Sequence, residues 1–268
     1  MLASTPNQDK FNDHERYNQE AQNFLSSEST PALGPDGSLG VREELRAPYI
    51  YYENIIRATV EPGKRVLDLC SGNGVHTLTA ARVGAHVTAA DFAENTLAVV
   101  SLRAKRAGVS VITIVADAEK LPLPSHTFDL VSCAGGLSYV YLPRFLDEVI
   151  RVLKPGGVFV CVDSFDHNPI YRVNRYIHYL RGNRSFSTLQ RMPNQHTLDA
   201  IRTHFPDLEV KYFGIGSFLM PAVRLVFGAS KAVYFNNWID SQFRFARKWA
   251  FKIVAYGHSK TAQAEIVG

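Results

Sequence analysis

The sequence predicts an α/β protein built on a doubly wound, seven-stranded sheet whose last strand runs antiparallel to its neighbours. Between residues 65 and 164, short apolar segments rich in β-branched residues alternate with helical segments. This alternation is typical of a parallel sheet that carries helices on both faces. Two more strand-like segments, 208–216 and 249–258, have a helical stretch between them, which suits an antiparallel pair at one sheet edge.

Residues that break regular structure bound the elements of this alternation. Pro62-Gly63 precedes the first strand, Gly108 ends a helix, and Pro155-Gly156-Gly157 precedes the fifth strand. The predicted strands are 65–69, 86–91, 109–116, 128–133 and 158–164, and the predicted helices between them are 75–83, 93–107 and 142–153.

The two ends of the chain have weaker patterns. Residues 10–25 suit a polar helix and 41–59 a second helix, with a Gly- and Pro-rich loop at 29–40 between them. We therefore expect residues 1–60 to form an N-terminal helical lid. After residue 164 a Tyr- and Arg-rich segment runs to residue 191, and further helices are predicted at 197–204 and 236–248.

Length and composition fit one domain. The chain has 268 residues, of which 46% are hydrophobic, enough to bury one sizeable core. It has no run of about 18 apolar residues and no secretory pattern at its start, so we expect a cytoplasmic protein without a transmembrane segment. The three cysteines are far apart, which favours buried thiols and predicts no metal site.

Charge is distributed unevenly. Residues 167–268 carry 14 Lys and Arg against 5 Asp and Glu, whereas the whole chain has a net charge of +4. A basic half suits an anionic small molecule or peripheral contact with a membrane surface, and equally a plain solvated face. No recognisable nucleic-acid-binding module is present, so no nucleic-acid partner is expected.

The first strand ends in a glycine loop. Ligands of open α/β sheets bind outside the carboxyl ends of the strands, and Gly72 and Gly74 let the backbone approach a ligand there. A dinucleotide site would have a third glycine where Thr77 stands. The Asp68 carboxylate would repel a pyrophosphate but suits an ammonium group. The loop therefore favours a cofactor with a cationic end over NAD.

Acidic residues also follow the next two strands. Asp91 ends the second strand, 17 residues after Gly74, where an acid binds ribose hydroxyls. Phe92 beside it suits contact with an adenine face, and Asp117 after the third strand suits the adenine amino group. The alternatives are a helix cap for Asp91 and a turn cap for Asp117.

Four motifs in order carry a family resemblance. They are VLDLCSGNG (66–74), the acid Asp91, VADAEKLPLPSHTFDLV (115–131) and RVLKPGGVF (151–159). Over roughly residues 60–163 the chain resembles the class I S-adenosylmethionine (SAM) dependent methyltransferases, in the branch of the ubiquinone and menaquinone C-methylases and small-molecule O- and N-methylases. The resemblance implies SAM as cofactor and a SAM-binding domain at 61–268, with acceptor-cap insertions at about 165–195 and 217–247.

The resemblance also implies residue roles. Asp68 would hold the methionine ammonium, Asp91 the ribose diol and Asp117 the adenine amino group. Cys70 stands where the family often has glycine. The remaining implied cofactor contacts are the backbone of Cys70, Gly72 and Gly74, the Phe92 ring, the Ala118 backbone, and Leu137, which would face cofactor and acceptor.

Catalytic candidates follow the fourth and fifth strands. Tyr139 lies after the fourth strand and His167 after the fifth, and we predict these two as the catalytic residues. A surface position is the alternative for His167. Further base candidates are Asp163, Asp166, Tyr17 and His14.

The acceptor is predicted to be a small molecule, sugar-like or anionic. Residues 171–191 carry five arginines and no acidic residue, and Arg172 or Arg175 would grip it. A sugar hydroxyl of a surface glycan or its precursor is the first candidate and an isoprenoid quinone the second. A plain amphipathic helix is the alternative for this segment. A non-catalytic SAM-fold protein and a nicotinamide-dependent oxidoreductase are the alternatives for the whole chain.

Overall fold

The computed structural model describes residues 6–26, 40–180 and 186–260. The predicted loop at 29–40 lies outside the described residues except for Gly40, and so do two arginines of the 171–191 segment, Arg181 and Arg184.

The described residues form a sheet of seven strands in the order β3-β2-β1-β4-β5-β7-β6. Strand β7 runs antiparallel to β5 and to β6, and the other neighbouring strands pair in parallel. The predicted architecture is confirmed. The strand order reverses between β1 and β4, so a crevice opens at their carboxyl ends. The strands are β1 Arg65–Leu69, β2 His86–Asp91, β3 Val111–Val115, β4 Phe128–Ala134, β5 Leu153–Ser164, β6 Glu209–Phe213 and β7 Lys252–His258.

Helices cover the sheet and fill its connections. They are α1 Pro6–Ser26, α2 Ala47–Thr59, α3 Thr77–Arg82, α4 Glu94–Ala107, α5 Leu142–Val152, α6 Pro169–Leu180, α7 Phe186–Gln190, α8 Gln195–His204, α9 Met220–Phe227 and α10 Ala229–Gln242.

Three element boundaries differ most from those predicted. Strand β5 begins at Leu153, five residues before its predicted start, so Pro155-Gly156-Gly157 lies within the strand and does not precede it. The helix expected at 41–59 begins at Ala47, with Pro48 in its first turn, where a proline needs no hydrogen-bonded N–H. The helix expected at 236–248 spans Ala229–Gln242, and a separate 3-10 helix, Arg244–Trp249, follows it. Gly228, with φ of 85°, lies between α9 and α10 and divides the two helices.

Apolar side chains are buried on both faces of the sheet. One cluster contains Phe145 of α5, Phe159 of β5 and Phe205, and the other contains Tyr52 and Ile56 of α2. Fully burying one such side chain contributes about 1.5–3 kcal/mol. Helix α2, which the lid prediction included, therefore packs mainly in the layered core, whereas α1 lies over the crevice.

Candidate active site

A cavity of about 380 Å³ opens at the carboxyl ends of the central strands, beneath α1. Gly72 and Gly74 turn the loop after β1 with φ of 50° and 75°. A Cβ on Gly74 would lie 2.9 Å from Val100 Cγ2, whereas one on Gly72 would meet no atom within 4 Å. Gly74 therefore packs the loop on α4, and Gly72 faces open space. Other walls come from Asp68, Cys70, Asp91, Phe92, Tyr139, His76, Tyr49 and Lys252.

Cys70 adopts a backbone conformation that favours glycine. Its φ is 53°, in the left-handed region, which explains why glycine is common at this position in the family that the sequence resembles. Its side chain packs against Gly136, where an added Cβ would lie 2.8 Å from Cys70 Sγ and 2.6 Å from Cys133 Sγ. Gly136 must therefore remain without a side chain.

The Asp68 carboxylate is buried at the wall of the cavity. It accepts a hydrogen bond from Thr77 Oγ1 at 2.6 Å and one from Ser132 Oγ at 2.8 Å. Burial raises the pKa of Asp68, and the two hydroxyl hydrogen bonds act in the opposite direction. Each oxygen keeps a further lone pair, so the group can still accept from an ammonium.

Asp91 ties β2 to the glycine loop. Its carboxylate accepts from the backbone N–H of Gly72 at 2.8 Å and of Ala93 at 2.9 Å. Burial raises the pKa of Asp91. The bond to Ala93 is the local contact that the helix-cap alternative required, and the bond to Gly72 is not local. The same carboxylate lines the cavity, so its position is compatible with both roles.

A smaller cavity of about 30 Å³ adjoins the first and is lined by Asp117, Ala118 and Phe92. Lys10 of α1 also lines it, and its Nζ lies 2.6 Å from Asp117 Oδ2 and 3.3 Å from Glu119 Oε1. The space holds about two water molecules. The Lys10 ammonium thus pairs with the Asp117 carboxylate, which is the group predicted to bind the adenine amino group.

Two tyrosines meet at the junction of the cavities. Tyr17 of α1 donates a hydrogen bond from its hydroxyl to Tyr139 Oη at 2.9 Å, and its ring packs edge-on against Tyr139 and Phe92. Burial, and next the neighbouring Tyr139, raise the pKa of Tyr17. Tyr139, predicted from its place after β4, lines both cavities.

A histidine–glutamate pair at the cavity wall was not among the predicted residues. His76 Nδ1 lies 2.9 Å from Glu53 Oε1, and the Glu53 carboxylate is buried in α2. The His76 ring stacks on Tyr49, with ring centroids 5.3 Å apart and planes 7° apart. His76 follows the glycine loop directly, which was a usable signal, but Glu53 lies 23 residues upstream and the sequence offers no sign of it.

Two predicted site residues do not line either cavity. His167 is exposed, and its Nε2 accepts a hydrogen bond from Gln195 N at 3.1 Å. Burial of its ring, and next the Arg172 charge, lower the pKa of His167. The Leu137 side chain lies in the hydrophobic core, and its N–H donates to Asp163 Oδ2 at 2.9 Å. The structure therefore brings neither side chain together with Tyr139 in the cavity.

The expectation that no acid neutralises the arginines of segment 171–191 was wrong for Arg172 and Arg175. Asp166, just upstream, pairs with Arg172 at 3.1 Å and with Arg175 at 3.0 Å. Arg175 is buried and also donates to Phe165 O. Neither arginine lines the two cavities. These side chains hold α6 to the end of β5.

Within the described ranges, no group of three or more His, Cys, Asp or Glu side chains is arranged to hold a metal ion. Over the same residues, none of the helices combines the length and the apolar character needed to cross a membrane.

Comparison with known proteins finds methyltransferases similar to the central part of the chain. Residues 67–161 match the methyltransferase domain family. The demethylmenaquinone methyltransferase of Clavibacter sepedonicus is 44% identical over 113 residues, which are 41% of this chain and 45% of that protein. The ubiquinone/menaquinone biosynthesis C-methyltransferase UbiE of Bordetella parapertussis is 42% identical over 111 residues, 40% and 43% of the two chains. The chain thus spans less than half the length of these curated relatives.

Among solved structures, the geranyl diphosphate C-methyltransferase of Streptomyces coelicolor A3(2) superimposes with a TM-score of 0.61 at 16% identity. The match covers 97% of this chain and 100% of that one. At this identity the similarity shows the fold, and it extends well beyond the region matched by the quinone methyltransferases.

Proposed function

We propose, starting from a chain that carries a class I SAM-dependent methyltransferase domain, that this protein transfers a methyl group from SAM to a small-molecule acceptor bound beneath α1. The observation that carries the proposal is the convergence of three carboxylates. Asp68, Asp91 and Asp117 come from the ends of three neighbouring strands and line two adjoining cavities.

The residues present fit this cofactor. Buried carboxylates suit an ammonium and a ribose diol, and Gly72 leaves room for a ligand against the loop. A cavity of about 380 Å³ falls in the usual range of small-molecule sites, about 300–1,000 Å³. Asp68 would hold the ammonium, Asp91 the diol and Asp117 the adenine amino group. When bound, SAM supplies an electrophilic methyl group.

The protein contributes alignment and a route for a proton. Alignment of the acceptor with the methyl carbon is mainly a matter of positioning. Glu53 fixes the His76 ring through Nδ1, so a neutral imidazole can accept a proton on Nε2. Tyr139 lines the same cavity. Together with Tyr17 it closes the side of the cavity where the adenine is proposed to bind. The catalytic role of Tyr139 is part of this proposal, and that of His167 stays a prediction made from the sequence.

We propose that the acceptor is an aromatic, isoprenoid quinone-like ring, in preference to a sugar. The sugar hypothesis depended on Arg172 and Arg175, which pair with Asp166 instead. Aromatic side chains form much of the cavity wall, which suits a flat apolar ring. The matched relatives, named for menaquinone and ubiquinone methylation, support the same class. The aromatic wall residues are Tyr17, Phe24, Tyr49, Phe92 and Tyr139.

Calorimetry and methyl transfer test the proposal together. Purified protein should bind SAM and not NAD, and it should transfer radiolabelled methyl from SAM to a demethylated polyprenyl quinol but not to a glycan fraction. NAD binding without SAM binding would overturn the cofactor assignment. Transfer to the glycan fraction alone would restore the sugar acceptor.

Asp91→Ala is the matching negative variant. Losing charge-assisted hydrogen bonds costs about 1.5–3 kcal/mol, so SAM affinity should fall about 10- to 100-fold. Asp147→Ala, on the exposed surface of α5, is the control and should bind SAM as the parent does. Equal affinity of Asp91→Ala and the parent would leave Asp91 as a helix cap only.

A further inference from the structure

The insertion between β6 and β7 exposes large apolar side chains. Leu225, at the end of α9, is 88% exposed, and Val226 and Phe227 beside it are also exposed. Isolated exposed apolar residues are common on protein surfaces, but a contiguous group of large ones marks an interaction site.

Helix α10 continues this surface because only one of its sides packs on the protein. Ala232 and Asn236 are buried, and Asn236 Nδ2 donates to Glu44 O at 2.8 Å. The opposite side carries Tyr234 and Trp238, which are four residues apart on one helical face and are both exposed. Phe235, next to Tyr234, is exposed as well.

The 3-10 helix after α10 extends the same surface. Phe243 contacts Trp238 and Phe245 edge-to-face, with ring centroids 6.0 Å and 5.8 Å apart. Phe245 is 83% exposed, and Trp249 at the end of this helix is exposed too. We call the exposed apolar side chains of α9, α10 and this 3-10 helix the aromatic surface. They are Leu225, Val226, Phe227, Tyr234, Phe235, Trp238, Phe243, Phe245 and Trp249.

The exposed charges that positions 217–251 themselves contribute have one sign. Positions 217–251 contain one acidic residue, Asp240. Its carboxylate accepts hydrogen bonds from the N–H groups of Gly214 and Ile215 and so faces the fold. The basic side chains of the same segment are exposed: Arg224, Lys231, Arg244, Arg247 and Lys248.

We propose that the aromatic surface docks on a membrane that contains anionic lipid. Exposed aromatic and aliphatic side chains among lysines and arginines are the pattern of helices that lie in the interface of a bilayer. Each basic residue near an anionic leaflet adds about 1 kcal/mol of attraction. A second copy that packed through the same surface would bury the apolar side chains but would bring cations of the same sign together.

The position of the aromatic surface relates it to the cavity. Arg224 Nη1 lies 3.0 Å from Glu44 Oε2, and Glu44 follows Val41, a wall residue of the main cavity, by three positions. Membrane docking does not rest on the proposed methyl transfer. If the acceptor is an isoprenoid quinone, docking would bring the cavity close to the bilayer in which such a lipid resides.

Co-sedimentation with vesicles tests the proposal on the full chain. Wild type should bind vesicles of mixed phosphatidylglycerol and phosphatidylcholine, bind pure phosphatidylcholine at least about fivefold more weakly, and be released by high salt. The double variant Leu225→Gln/Phe227→Gln should weaken partitioning onto the anionic vesicles at least about tenfold, because two large apolar side chains no longer enter the interface.

The matched control is Ile112→Gln on β3, at the opposite edge of the sheet, where the side chain is 63% exposed. It should bind vesicles as wild type does. Equal vesicle binding by the double variant and wild type would overturn the proposal. So would a wild type that does not bind anionic vesicles but forms a dimer, if the double variant no longer forms that dimer. SAM binding by calorimetry, unchanged in all three proteins, separates this outcome from failure of the proposed function.

Discussion

Glu53 is a buried carboxylate with two hydrogen-bonded partners. It lies 2.9 Å from His76 Nδ1 and 2.6 Å from Arg57 Nη2, and the Arg57 side chain is 40% exposed whereas that of His76 is 11% exposed. Burying a carboxylate has a cost in free energy, which its hydrogen-bonded partners offset. Here one partner is the His76 imidazole at the wall of the cavity, whose orientation is also fixed by stacking on Tyr49.

His76→Gln should therefore lower kcat about 100- to 10,000-fold, the usual contribution of a general base, with little change in SAM affinity. Glu53→Gln should lower kcat less, because an amide oxygen can still accept from Nδ1 and keep the ring in place. The measurements are kcat at saturating substrate and SAM binding by calorimetry.

The control for these variants is His86→Gln, an exposed histidine at the start of β2. If His76→Gln instead weakens SAM binding and leaves kcat at saturation unchanged, His76 binds the cofactor and is no base.

Sequence predicted the site residues whose chemistry is local. Asp68 and Asp91 stand at fixed distances from a glycine loop, and both line the cavity. Glu53 was missed because its role depends on how α2 packs against the loop after β1. Leu137 was predicted to face the ligand, but its side chain packs in the core, because strand position alone does not fix the direction of a side chain in a loop.

Among the elements, α1 is the one that covers both cavities. Lys10 pairs with Asp117 and Glu119 across the smaller cavity, and Tyr17 bonds Tyr139 between the two. The pair of Lys10 and Asp117 is about a third to a half exposed, so it contributes at most about 1 kcal/mol. The Lys10 side chain can therefore leave Asp117 at low cost, while the hydrogen bonds of Tyr17 to Tyr139 and of Asn18 to Asn95 hold the rest of α1.

Lys10→Ala should raise SAM affinity about two- to fivefold, because Asp117 no longer has to exchange one cationic partner for a ligand amino group. Calorimetric titration measures this. Lys105→Ala, an exposed lysine on α4, is the control and should bind SAM with the parent's affinity. A weaker affinity in Lys10→Ala would mean that Lys10 closes the site over the cofactor instead of competing with it.

The pattern of elements was predictable where strands alternate with helices and less so in the insertion. Strands β1 and β2 match their predicted bounds. The predicted start of α10 was seven residues late. A helix buried on one side and apolar on the other lacks the contrast between polar and apolar faces from which a helical period is read.

On the scale of the whole molecule, three buried carboxylates gather at one end of the sheet. Burial raises the pKa of Asp68, of Asp91 and of Asp163. A carboxyl group whose pKa is higher in the folded than in the unfolded state destabilises the fold once the pH exceeds both values. This end of the sheet is thus held in place at a cost in stability.

Asp68→Asn should show that cost. The hydroxyls of Thr77 and Ser132 can turn to serve an amide, and the buried charge is gone, so the variant should be up to about 1 kcal/mol more stable at neutral pH, or roughly 2–4 °C in Tm. The gain should shrink as the pH falls, because the wild-type carboxyl then takes up its proton. Thermal unfolding from pH 4 to pH 8 measures both trends.

SAM affinity of the same variant should fall about tenfold or more, because an amide offers an ammonium no charge. A Tm difference that is independent of pH would mean that folding does not raise the pKa of Asp68.

The pairing of β6 with β7 keeps the aromatic surface in a segment of the chain separate from the cavity residues at the ends of β1 and β2. Phe213 and Lys252 are partners across these strands, so the 38 residues between them leave the sheet and return to it at adjacent points. A turn of a few residues could close the same pair without altering the register. The segment that carries the aromatic surface therefore begins and ends at one point of the sheet. If this surface docks on membranes as proposed, an engineer could replace it to change where the protein binds while keeping Asp68, Asp91 and His76 unaltered.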